Sequence, residues 1–514
     1  MSRRTIFVLL TAILVLASFL RLFHFAAIPP GLYPDEAIDG NNALEVAHAQ
    51  PFLRGFKVFY PENNGREGLY VNVVAVLIKV SGGIHEPWIV RLPAAVSGIL
   101  TVLGVYFLAA ELFGAQVGLL AAFLLATSFW HVVFSRIGFR AIMAPLFLTW
   151  ALYLLIKGFN KLENGASFVR AGPFFLIGGA LWALGFYTYI AYRVTPALIL
   201  LIFVFYWLEA RKQGWQNKFV PCAATFIAVS AAVAAPLFHY FYANPGTFSE
   251  RASQISVFSS ATPLRDLARN TWKTLAMFNL QGDTNWRHNI SGRPELFWPV
   301  GLLFLLGIVV GIRSFAGNLS NSGGTRARKA IVGVGAAARS SFPFALLFAW
   351  FFLAMLPVVM SDDILPHALR CLLMIPCVFI FAALGGRSLY EWLRKIVASR
   401  LLTVATFIFL ALLAFEAYRD YFILWARNPN VPEAFNADYL AIGRELNALP
   451  AATPKYVVVD ATGVIVRGMP MPAQTVMFIT DTFDPAEQAA KNIHYVLPGE
   501  ENGIPAGATV FHLR

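Results

Sequence analysis

The sequence predicts a polytopic α-helical membrane protein of about eleven spans followed by a small α/β unit. Three observations carry that reading. Of the 514 residues, 58% are hydrophobic and only 13% charged, against about 25% charged in an ordinary soluble domain, and the mean hydropathy is +0.63. Many runs reach the ~18–20 apolar residues needed to cross a bilayer. The character then changes near Tyr418: residues 419–514 contain seven Lys or Arg against ten Asp or Glu, reversing the basic balance of 1–418.

The first span, at about 5–27, follows Arg3 and Arg4, which places the N-terminus in the cytoplasm. No small-residue cleavage site follows it, so it reads as a retained span rather than a signal peptide. Residues 28–87 form a first external loop with two helical stretches, Asp35 to Ala49 and Gly68 to Val80; the second is apolar but short and reads as an interfacial helix. Further spans fall at roughly 88–111, 115–133, 139–157, 172–190, 194–209, 219–238, 296–312, 342–360, 369–385 and 401–418. With that register the inner loops hold Lys157, Lys161, Arg170, Arg211, Lys212, Lys218, Arg313, Arg326, Arg328, Lys329, Arg339, Arg387, Arg394, Lys395 and Arg400. The opposite register would put nearly all of them outside, against the positive-inside rule. The segment 314–340 reads as a cytoplasmic loop rich in Gly, Ser and Arg.

A second large external loop covers 239–295, and 1–418 form the membrane domain. The tail, 419–514, reads as an extracytoplasmic α/β domain: a helix over Glu433 to Leu449, then strands at Tyr456 to Val459, Thr475 to Ile479, His494 to Leu497 and Thr509 to Leu513. The formal charge of +12 is explained by orientation and by a basic lining suited to a lipid phosphate; no nucleic-acid partner is expected. Cys222, Cys371 and Cys377 lack metal-ligand spacing and read as small core residues.

The chemistry concentrates at outer membrane boundaries. Gly31-Leu32-Tyr33-Pro34-Asp35-Glu36-Ala37-Ile38-Asp39-Gly40 sets carboxylates directly after the first span, where acids are expensive unless solvated or used. As helix-capping residues they need no function; as catalytic ones, Asp35 accepts the proton of an attacking hydroxyl and Glu36 tunes it. Pro61-Glu62-Asn63-Asn64-Gly65-Arg66-Glu67-Gly68 is a turn leading into the interfacial helix, with Glu67 either a capping acid or a second acid converging on Asp35. A divalent metal ion at Asp35, Glu67 and His288 is a further reading. Ser135-Arg136-Ile137-Gly138-Phe139-Arg140, Tyr189-Ile190-Ala191-Tyr192-Arg193 and Pro366-His367-Ala368-Leu369-Arg370 place cations at headgroup depth. There they either snorkel or bind a donor phosphate. Asn279 to Asn289, with Asp283, Trp286, Arg287 and His288, mixes polar and aromatic groups as a sugar or acceptor site would.

These motifs, with their order along the chain, resemble the GT-C membrane glycosyltransferases, most closely the protein O-mannosyltransferases and the aminoarabinose transferase acting on lipid A. The resemblance covers about 1–418. It implies catalytic Asp35, Glu36 and Glu67, donor-phosphate binding by Arg66, Arg136, Arg140, Arg193, His367 and Arg370, and sugar or acceptor contacts from Tyr33, Tyr189, Tyr192, Asp283, Trp286 and Arg287. It further implies a polyprenyl-phosphate sugar as donor (undecaprenyl phosphate in bacteria), a lipid, glycan or protein acceptor, inversion at the anomeric carbon, and a bacterial inner membrane with the active site and C-terminus outside. Metal dependence differs within the superfamily. A lipid or sugar-lipid transporter predicts inverted repeats and midspan charges, neither of which is evident; a non-catalytic scaffold would not need outward acids and arginines in several loops.

Overall fold

A computed structural model describes residues 1–248, 257–320, 341–361 and 364–514. The basic residues Arg326, Arg328, Lys329 and Arg339 of the expected cytoplasmic loop lie outside these.

The membrane part runs α1 (Arg3–Leu22), α2 (Pro34–His48), α3 (Leu69–Val80), α4 (Pro87–Phe113), α5 (Ala115–Ala126), α6 (Phe129–Phe134), α7 (Met143–Glu163), α8 (Phe168–Gly185), α9 (Pro196–Gln213), α10 (Gln216–Ala243), α11 (Pro263–Ala276), α12 (Trp298–Ser320), α13 (Phe342–Val359), α14 (Ile375–Leu393) and α15 (Ser399–Tyr418). Between α2 and α3 two short strands, β1 (Phe59–Tyr60) and β2 (Arg66–Glu67), pair antiparallel. The tail adds α16 (Asn430–Ala434), α17 (Ala437–Ala448), β3 (Lys455–Val459), β4 (Ile465–Val466), β5 (Met469–Pro470), α18 (Ala473–Thr480), α19 (Pro485–Lys491), β6 (Ile493–Val496) and β7 (Thr509–Leu513). Its three-stranded sheet is parallel, in the order β6-β3-β7.

Among the described residues ten helices are long and apolar enough to span a membrane. The expected span at 115–133 is instead broken into α5 and α6: Thr127 turns its hydroxyl back on the Phe123 carbonyl, and Ser128 caps α6 by accepting from the His131 N–H. Gly114, at φ 91°, permits the one-residue turn from α4 into α5.

The tail corrects one expectation. Thr475 to Ile479 is helical, within α18, whose eight residues are all buried. A short apolar run with no polar face reads alike as strand or helix, and here burial on every side decides. The helix packs on the back of α2: the Asn41 amide donates to Gln474 Oε1 (2.9 Å) and to the Gln474 carbonyl (3.1 Å), and the Thr475 hydroxyl donates to the Leu32 carbonyl (2.8 Å). Gly40 is required at this contact, since a Cβ there would stand 2.6 Å from the Phe478 ring.

That contact fixes the topology by parity. Among the described residues nine long spans separate α2 from the tail, an odd number, which by itself would put them on opposite sides of the membrane. A tenth crossing is needed, and α5–α6 supplies it, because α3 lies along α2 with Lys79 donating to the Ala47 carbonyl. Impermeant thiol labelling checks this: Arg54→Cys and Glu501→Cys should label from one side and Ser167→Cys from the other, over a low background because the three native cysteines are buried. Labelling of positions 54 and 501 from opposite sides would remove the α5–α6 crossing.

Candidate active site

The N-terminus of α2 separates two adjacent acids into different environments. Pro34 opens the helix, and Glu36 reaches back so that its Oε2 accepts the Tyr33 N–H at 3.2 Å. Arg91, wholly buried in α4, donates to both Glu36 oxygens (2.8 and 3.0 Å) and to the Pro29 and Gly31 carbonyls (2.7 and 2.8 Å). The Gly138 N–H donates to Glu36 as well, at 2.7 Å. Every lone pair of Glu36 is therefore engaged and its side chain is fully buried. This corrects the expectation of a catalytic Glu36: it is a strut that holds the loop before α2 against α4. Arg91 lies inside an apolar run, where a lone charge signals a buried partner.

Asp35 is half-buried, as is Tyr33, while the rest of Gly31 to Gly40 is buried. Its Oδ1 accepts from the Asn63 amide at 2.6 Å, and none of the described residues bonds its Oδ2. Asn63, Asn64 and Gly65 take φ values of 51°, 62° and 81°; this left-handed run, tolerated by Asn and Gly, turns the Asn63 side chain onto Asp35. The sequence showed the turn but not its target. One helical turn on, Asp39 is buried against Arg66, whose other arm donates to Asn42. Burial pushes the Asp39 carboxyl up, against the opposing pull of Arg66 and Arg140. Arg66 is thereby spoken for, correcting its assignment to a donor phosphate.

Glu67 lies under two cations: Arg140 Nε is 3.2 Å and Arg193 Nη2 3.7 Å from its oxygens. Among the described residues, the group close enough to share a metal ion keeps His288 of the expected set but has neither Asp35 nor Glu67. Arg140 also acts electrostatically on Asp39 and Tyr189, and Arg193 stacks on Phe248 (4.2 Å) while donating to its carbonyl. Both arginines keep some exposure.

The loop after α11 brings the second half of the site. Arg293 anchors it to the last span through Asp420 and Glu416. Glu295 Oε1 accepts the Asp283 N–H and the Asn289 amide, and burial pushes the Glu295 carboxyl well above its usual range. Arg287 stacks on the Tyr33 ring, 3.7 Å from its centroid. Its buried Nε has no hydrogen-bond partner, and no acid among the described residues pairs with it. Burial raises the Tyr33 hydroxyl. His288 Nδ1 meets Asp283 Oδ2 at 2.8 Å, and the His367 ring lies 5.1 Å from that of His288. Asp283 Oδ2 also accepts the Ala368 N–H at 2.8 Å, tying this loop to the turn that carries His367 and Arg370. Burial holds His288 below the ordinary imidazole value despite Asp283, whereas Asp283, buried yet bonded to His288, stays below the usual carboxylate range. The Asp35 charge is felt at both Tyr33 and His288.

Tyr33, Asp35, Asp283, Arg287, His288 and His367 are thus brought together, with Arg370 three residues on. Besides Glu36, Arg66 and Glu67, two further expected members are not. Arg136 is buried and donates to the Leu20, Phe23 and Ile28 carbonyls and to the Tyr421 hydroxyl, closing the carbonyl end of α1. Tyr192 is fully buried, packed so closely under Gly185 that a Cβ there would meet its ring at 2.0 Å. Trp286 is half-buried and its carbonyl accepts from Trp425, which fixes the loop.

Residues 72–239 match the family model of the dolichyl-phosphate-mannose-protein mannosyltransferases. A comparison with curated protein sequences gives no match. Among solved structures, ArnT from Cupriavidus metallidurans bound to undecaprenyl phosphate is similar at a TM-score of 0.54 and 14% identity, over 99% of this chain and 90% of that one. The apo oligosaccharyltransferase of Archaeoglobus fulgidus is similar at 0.54 and 13% identity, over 97% of this chain and 65% of its own length. The oligosaccharyltransferase AglB from the same archaeon, in complex with an inhibitory peptide and a dolichol-phosphate, gives 0.53 at 13% identity, over 95% and 64%. The chain spans just under two thirds of the archaeal enzyme. Its fold is that of the GT-C membrane glycosyltransferases.

Proposed function

We propose that this protein transfers a sugar from a polyprenyl-phosphate donor to an acceptor hydroxyl at the extracytoplasmic face of a bacterial inner membrane, with inversion. The observation that carries the reading is a half-buried carboxylate, Asp35, and a cation, Arg287, that both act on Tyr33, with no acid among the described residues paired to Arg287. Asp35 Oδ2 accepts the acceptor proton as its oxygen attacks the anomeric carbon. Arg287, with Arg370 and His367 from the neighbouring turn and Arg140 and Arg193 across the site, holds the leaving phosphate. Tyr33 and Tyr189 offer the aromatic faces and hydroxyls that suit a sugar. The domain at 419–514 braces α2 from behind and leaves its Asp35 end open.

An apolar cavity of about 740 Å³ between α11, α12 and α13, lined by Phe278, Phe304, Ile308, Phe348, Phe351 and Phe352, suits the prenyl chain, and Phe278 opens the loop that carries Arg287. Undecaprenyl phosphate in ArnT and dolichol-phosphate in AglB support a lipid phosphate here, and the peptide in AglB keeps protein among the acceptors beside lipid and glycan. The test is release of polyprenyl phosphate from radiolabelled polyprenyl-phosphate sugars by the purified protein, with native membrane extract supplying the acceptor. Extract-dependent release with at least one sugar is expected. No release across mannose, aminoarabinose and galacturonate donors would sink the reading in favour of transport or scaffolding.

A further inference from the structure

We propose that Asp283, His288 and His367 bind one divalent transition-metal ion of the zinc class, which clamps the loop carrying Arg287 to the turn carrying Arg370. The three residues come from two stretches far apart in sequence, and one ligand atom of each lies within 4.8 Å of the other two. Asp283 Oδ2 stands 2.8 Å from His288 Nδ1 and 4.0 Å from His367 Nδ1. Ligands about 2.0–2.2 Å from a tetrahedral zinc ion lie roughly 3.3–3.5 Å apart, a value these two edges bracket. The ion enters by widening the shorter edge and drawing His367 inward by a few tenths of an ångström.

Three features favour an ion over a bare Asp–His hydrogen bond. Such a bond involves one imidazole, whereas here the ring of a second, His367, lies 5.1 Å from that of His288 at 34°. The Asp283 carboxylate is also fixed in place, its Oδ1 accepting the Asn285 N–H and its Oδ2 the Ala368 N–H, as outer-shell bonds orient metal ligands. Asp283 and His288 side chains are 4% and 5% exposed, so water competes weakly for the ion.

The donor set also selects the metal. Two imidazole nitrogens and one carboxylate oxygen suit zinc or cobalt, whereas magnesium and calcium require mainly oxygen ligands. Three protein ligands leave the fourth tetrahedral position open. The site differs from an Asp35-centred ion, and its existence does not depend on the transferase reading.

The experiment uses the full-length protein in detergent, its purification tag removed, stripped with chelator and then titrated with Zn²⁺ or Co²⁺. One equivalent should bind, Co²⁺ should give a visible ligand-field band, and the thermal midpoint should rise; Mg²⁺ and Ca²⁺ in excess should not compete. His367→Gln, at the most exposed ligand, and His288→Gln should each lose the stoichiometric binding and the cobalt band, with monodispersity on size exclusion confirming the fold. A folded wild type that binds less than one equivalent overturns the proposal. So does binding that survives both substitutions, or displacement by Mg²⁺.

Discussion

Asp35→Asn is expected to lower donor turnover by roughly 10²–10⁴-fold, the usual contribution of a positioned general base, without changing the thermal midpoint in detergent. Asparagine keeps the shape of the side chain, and its Oδ1 can still accept from the Asn63 amide that holds Asp35 at 2.6 Å. What it cannot do is take a proton on the second oxygen. Arg287 remains stacked on Tyr33, so the donor phosphate still has its cation and donor binding should be retained. Turnover and binding measured together therefore separate base catalysis from assembly of the site. Turnover equal to wild type would strip Asp35 of its role, whatever the sugar.

Glu36→Ala is expected to do the reverse, failing in the fold before any chemistry is reached. The substitution leaves the Arg91 guanidinium buried with only the Pro29 and Gly31 carbonyls, and it orphans the Gly138 and Tyr33 N–H groups. Removing one partner of a buried ion pair costs about 3–5 kcal/mol, a large share of the roughly 5–15 kcal/mol that holds a typical protein folded. The yield of monodisperse protein and its thermal midpoint should both fall sharply, and Arg91→Ala should behave likewise. A well-folded but inactive Glu36→Ala protein would return Glu36 to the catalytic role that its place beside Asp35 suggests.

The contrast between these neighbours shows where sequence reading stops. Both acids follow a span and both sit in the first turn of α2, so composition and position treat them alike. Only the arrival of Arg91 from α4 and of the Gly138 N–H distinguishes strut from base. The arginines divide in the same way. Arg136, Arg140, Arg193 and Arg370 share a motif style at the boundary, yet Arg136 turns inward to satisfy carbonyls at the end of α1, and Arg140 and Arg193 meet over Glu67. Charge at headgroup depth is legible from hydropathy; its partner is a long-range contact that no local window contains.

The sequence by itself determined the polytopic helical class, the two helices of the first external loop, three of the strand segments of the tail and the short list from which the site is drawn. Each follows from local physics: the length of apolar run that crosses a bilayer, the period of the pattern, and the chemistry of turns and caps. The tertiary structure alone decided that the span expected at 115–133 is broken into α5 and α6. It also decided that Thr475 to Ile479 is a buried helix rather than a strand, and that Asp35, not Glu36, keeps a free oxygen. Those outcomes depend on which groups meet across the fold, because burial and pairing assign a side chain its role and both are set by residues distant in the chain.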